Sequence, residues 1–142
     1  MSGCDGLEER IALLRRRDRR FARNAYYFIL DALDHTIERL GRDQEVGSSR
    51  HVGGVEVLEG VRELAADQFG PMAALVLRRW GMESTEDVGE VVFNLIEGGL
   101  LSRRPEDSRL DFVGGFDFHS AFEEKFRERL AAISASGDTL AD

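Results

Sequence analysis

Apolar residues recur three and four positions apart along most of this chain, and glycine closes run after run of them. That spacing puts the apolar side chains on one face of an α-helix, so the chain must bury helix stripes against one another. The strongest run is Phe21, Ala25, Phe28, Ile29, Ala32, Leu33, Ile37 and Leu40, and Gly41 ends it as a C-terminal cap would. Leu7, Ile11 and Leu14 predict a shorter helix ahead of it. Between the two, Arg17-Asp18-Arg19-Arg20 reads as a break, with Asp18 as N-cap of the second helix.

Residues 42–53 are polar and glycine-rich and read as a mobile linker. Val57, Leu58, Val61, Leu64, Ala65 and Phe69 predict a third helix. Gly70-Pro71 punctuates it, and Met72, Leu75, Val76 and Trp80 predict a short fourth helix closed by Gly81. Ser84 to Asp87 forms a capping box with Asp in place of the usual Glu or Gln. Val88, Val91, Val92, Leu95 and Ile96 then mark a strongly amphipathic fifth helix, stopped by Gly98-Gly99. Residues 100–104 and 109–113 predict two short strands around a turn at Pro105 to Ser108. Helix, short helix, tight turn, capped helix and β-hairpin is the order of a winged helix-turn-helix. The predicted fold is therefore mainly α and single-domain: an N-terminal helical arm (7–41), the linker, a winged-helix-like core (54–118), a C-terminal helix (119–134) and a disordered tail (135–142). Phe122, Phe126, Leu130 and Ile133 supply the stripe of that last helix.

A series of short motifs carries a family resemblance. They are His51-Val52-Gly53-Gly54, Leu58-Glu59-Gly60-Val61-Arg62, Phe69 to Ala73, Trp80-Gly81, Val92-Phe93-Asn94-Leu95 with Gly99-Leu100-Leu101, and Asp111-Phe112 through Gly115 to Phe118. Arg17 to Phe21 and Ala25 to Phe28 fit the same pattern. Over about residues 7–122 the chain resembles an uncharacterised bacterial protein family that carries a locus-tag-style name. Where this chain has Gly53, that family commonly has serine, so the resemblance implies no hydroxyl cap on the third helix here. No established activity comes with the family, and the resemblance implies no functional residue.

Charge placement separates the function classes. Arg10 to Arg23 holds seven arginines and one acid, a net +6, on a chain whose formal net charge is -8. Residues 53–118 hold six basic and thirteen acidic groups. A DNA-reading helix needs donors for phosphates and base edges. The face of the fifth helix opposite its apolar stripe instead offers Glu86, Asp87, Glu90, Phe93, Asn94 and Glu97. These six predict a protein-binding face, with Phe93 as an exposed aromatic anchor. The function expected is a non-enzymatic protein-interaction module, binding a partner or a second copy of itself. The alternative is a nucleic-acid-binding regulator using Arg15, Arg16, Arg19 and Arg20, helped by Arg103 and Arg104.

Catalytic signatures are missing. His35, His51 and His119 have no metal-ligand spacing, and the one cysteine, Cys4, makes neither an internal disulfide nor a zinc site. No cofactor and no metal are expected. Without an apolar run long enough to span a bilayer and without a secretory leader pattern, a cytoplasmic protein with no membrane contact is expected.

Overall fold

The computed structural model describes residues 3–42 and 51–136. Six α-helices run in the order α1 (Gly3–Arg17), α2 (Arg23–Arg39), α3 (Gly54–Phe69), α4 (Ala73–Arg79), α5 (Thr85–Glu97) and α6 (Phe118–Ser136). Among the described residues, 3-10 turns at Gly70–Met72 and Arg109–Phe112 accompany these helices. Residues 43–50 of the predicted linker and 137–142 of the predicted tail lie outside the described residues.

One continuous cluster of buried side chains runs from Ile11 to Phe122. Its centre is the α2–α3 crossing, where Gly60 lets the helices approach so closely that a Cβ would land on the Thr36 hydroxyl. Thr36 is itself buried and donates to the Ala32 carbonyl (2.7 Å), which satisfies its polar atom inside the core. Phe28, Phe69 and Trp80 form an aromatic triangle with ring centroids 5.6–5.9 Å apart.

The helix caps follow the sequence closely in places. Gly41 adopts φ 72°, and the Arg42 N–H returns to the Ile37 carbonyl at 2.9 Å, closing α2. The Ser84 hydroxyl accepts from the Asp87 N–H and starts α5. At Gly81, φ is 101°, and any Cβ there would run into the Arg20 carbonyl. The turn between α4 and α5 thus docks against the turn between α1 and α2, and the Ala22 N–H donates to the Trp80 carbonyl (3.0 Å).

Three expectations are corrected. The winged-helix core falls because the described residues contain no strand: residues 100–104 are irregular and 109–112 form a 3-10 turn. The backbone groups a ladder would need are taken by side chains. Ser108 Oγ accepts from the Leu110 N–H (3.1 Å), Asp111 from Ser108 (3.2 Å) and Asp107 from Arg104 (2.8 Å). Buried Thr85 then donates to the Phe112 carbonyl (2.7 Å) and accepts from the Gly115 N–H (3.1 Å). Second, Asp18 does not cap α2, whose N-cap is Ala22 without a side-chain bond. Third, α4 buries Ala73 and Leu77 and leaves Met72 and Leu75 more than half exposed. The predicted linker is anchored at both ends: Arg42 donates to the His51 carbonyl (3.0 Å), and Val52 joins the core.

Candidate functional site

On the outer face of α5, Glu86 and Glu97 are exposed, but the expected aromatic anchor is not. Phe93 is 4% exposed, packed edge-on against Phe112 with centroids 6.4 Å apart. Gly89, one turn earlier, makes room for the Phe112 ring, where a Cβ would collide. The segment expected to form a wing thus folds back over α5 and inserts Phe112 between α3 and α5. Gly89 and Phe93, four apart, were the signal for that groove: a missing side chain beside an aromatic, on what pattern alone marks as the solvent face.

The charged members of the face are occupied within the chain. Glu90 accepts from Arg20 (3.2 Å) and Arg109 (3.0 Å). Asn94 donates to Asp18 (3.0 Å) and to the Tyr26 hydroxyl (3.1 Å). Glu86 accepts from the Gly114 N–H (3.1 Å) and Asp87 from the Glu83 N–H (2.9 Å). Glu97 lies 3.8 Å from Arg109. Asp18 is the hub: its carboxylate also takes the Arg20 backbone N–H (3.1 Å) and guanidinium (2.6 Å). The Arg20 guanidinium first, then Asn94 and the Arg20 backbone N–H, hold the Asp18 carboxyl far below the ordinary carboxylate range. Arg20 is raised in turn, chiefly by Asp18. Glu86 is lowered by its own backbone N–H first and then by that of Gly114.

The arginines divide into two groups. Arg20 is bound as described, and Arg15 Nε donates to the Phe21 carbonyl (3.4 Å). Arg16 and Arg19 are exposed and pair with no described residue. Arg103 lies over the face of Phe93 with its guanidinium 5.4 Å from the centroid, and Arg109 covers the same ring at 4.7 Å. Arg104 lies 3.7 Å from exposed Glu106, its charge also helps to lower the Glu56 carboxyl, and its Nε is buried without a hydrogen-bond partner among the described residues. The structure does bring Arg20 and Arg103 to one side of α5, but with Glu90 between them, so the two arginine groups do not merge into a basic surface.

Beneath residues 101–112 lies a cavity of about 470 Å³. Leu33 and Ile37 of α2, Val57 of α3, Val92 and Ile96 of α5, and Leu101 give it an apolar wall. Its rim is polar: His51, Ser102, Arg103, Arg104, Asp107 and Asp111. His51 Nε2 sits 2.9 Å from Asp107 Oδ2, both side chains mostly buried, without the alignment of a hydrogen bond. Ser102 completes a serine, histidine and aspartate set around one space, yet no hydrogen bond joins its hydroxyl to His51. A nucleophile relay requires that contact. His35 pairs with Glu63 of α3 (3.3 Å) and His119 with Glu123 (3.5 Å). Among the described residues no group of three or more His, Cys, Asp and Glu is placed to hold a metal ion, and no helix is long and apolar enough to cross a membrane.

What the fold and cavity define, then, is a helical protein whose fifth-helix face is partly paired with arginines of the same chain, with an apolar chamber under a polar rim. No protein-family model matches the chain, and neither a curated protein nor a solved structure matches it. That agrees with a resemblance that brought no established activity, and no relative lends the chain a function.

Proposed function

We propose that the chain is a non-enzymatic protein-interaction module that associates with a second copy of itself through the outer half of α6. The observation that carries this reading is the surface of that helix. Its first turns are anchored by buried Phe118, Ala121 and Phe122, whereas Phe126 (37% exposed) and Leu130 (44%) stay open. From Leu130 onward the described helix bears no charged side chain at all. A helix ending in solvent ordinarily places charges there, and an apolar or small-residue face marks a contact. A second copy is the partner that suits its charge. Residues 123–136 hold three acids and three bases, so two such stretches meet without the repulsion that a chain of net charge -8 generates elsewhere. A self-complementary helix face also suits an isologous dimer. Sedimentation velocity tests the reading: the wild type should form dimers at micromolar concentration, and Phe126→Glu with Leu130→Glu should be monomeric with an unchanged circular dichroism spectrum. A monomeric wild type at all concentrations rejects it.

A second reading, nucleic-acid binding by the N-terminal arm, draws on exposed Arg16 and Arg19. Backbone binding of that kind weakens steeply with salt. Replacing Arg16 and Arg19 with alanine should then abolish retention on a nucleic acid at low ionic strength.

A further inference from the structure

We propose that the cavity beneath residues 101–112 is a binding site for a small anionic amphiphile, a monocarboxylate carried on an apolar tail. Its volume, about 470 Å³, lies inside the range of roughly 300–1,000 Å³ typical of small-molecule sites. The walls fix the tail. Val57, Val92 and Ile96 present only methyl and methylene groups to the space, and they come from two helices held by the core rather than from a mobile loop.

The rim sets the head group through its arginines. Each rim carboxylate already accepts a backbone N–H on one oxygen, Asp107 from Arg104 and Asp111 from Ser108, and Asp107 also faces His51. Among the described residues Arg103 touches only the Phe93 ring, and no described carboxylate accepts from its guanidinium. Arg104 lies 3.7 Å from exposed Glu106, its charge also reaches Glu56, and its buried Nε has no hydrogen-bond partner among the described residues. A guanidinium fork matches a carboxylate in two parallel hydrogen bonds, and it gains most at the edge of an apolar space where water competes less. An ammonium head would find no such fork, since it would have to sit beside the two guanidiniums. An alcohol would fill the wall and leave both guanidiniums unanswered.

The probes are octanoate, 1-octanol and octylamine, titrated calorimetrically into the full chain at neutral pH. Octanoate should saturate one site and bind at least about tenfold more tightly than either analogue. In Arg103→Gln/Arg104→Gln its advantage over octanol should fall below about threefold. Intermolecular nuclear Overhauser effects should run from the octyl chain to the methyls of Val57, Val92 and Ile96. Those effects and the comparison of the three heads use the wild type, so they decide the matter even if the double variant fails to fold. The proposal is overturned by an absence of saturable octanoate binding, by equal affinity for octylamine or octanol, or by an octanoate preference that survives the double substitution. Contacts from the octyl chain to Phe126 and Leu130 instead of the cavity methyls overturn it as well.

Discussion

Single atoms decide two of the tightest places in the molecule. Asp18 gathers hydrogen bonds from the Arg20 backbone, the Arg20 guanidinium and Asn94, so it ties the α1–α2 turn to α5. Removing the charge with Asp18→Asn should cost about 1–2 kcal/mol in urea unfolding, a figure kept low because Arg20 is more than half exposed. The folded carboxyl titrates below that of the unfolded chain, so its contribution is complete above about pH 4 and is lost as pH falls toward the folded-state value. The stability gap between wild type and Asp18→Asn should therefore narrow between neutral pH and about pH 2. A gap constant across that range would assign Asp18 no ionic role. Gly60 is the second place. Gly60→Ala should destabilise by about 2 kcal/mol or more because the new methyl lands on the Thr36 hydroxyl. Adding Thr36→Ala should recover part of that loss, and a thermodynamic cycle that sums additively would contradict the clash. None of this contact was legible in the sequence, where Gly60 and Thr36 belong to neither apolar stripe.

At the scale of elements, legibility followed the length of the pattern. Helix α2 was readable because its apolar positions repeat over 17 residues and a glycine closes it. Helix α5 was readable because Ser84 and five apolar positions agree. Helix α4 has only 7 residues, too few for one stripe to outweigh another, and its buried face came out shifted to Ala73 and Leu77, with Trp80 alone of the expected stripe packed on the core. The supposed hairpin failed for a different reason. Ser108-Arg109-Leu110-Asp111 is itself a capping box, the same signature as Ser84 to Asp87, and it commits the chain to a turn. Apolar alternation over five residues could not compete with that local chemistry. The consequence for the candidate site is direct. Phe93, expected as an exposed anchor, is the floor on which Phe112, Arg103 and Arg109 rest. Phe93→Ala should destabilise the fold by about 3–5 kcal/mol, measured by chemical denaturation. An unchanged midpoint would return Phe93 to the surface.

At the scale of the molecule, part of the charge that the sequence separates meets inside one chain. The sequence displays a basic arm and an acidic fifth helix as if each awaited a partner. In the structure Arg20 reaches Glu90 from one end and Arg109 reaches it from the other. With part of that face paired internally, the charge-free end of α6 is the surface proposed for association. Composition alone revealed the imbalance of signs but not its resolution, which depends on the α1–α2 turn lying against α5. Amide hydrogen exchange, followed by mass spectrometry at low and high protein concentration, tests the association most directly because it needs no substitution. The account predicts that raising the concentration slows exchange within residues 123–136 and leaves α5 unchanged. Exchange independent of concentration, or slowing confined to residues 85–97, would contradict it.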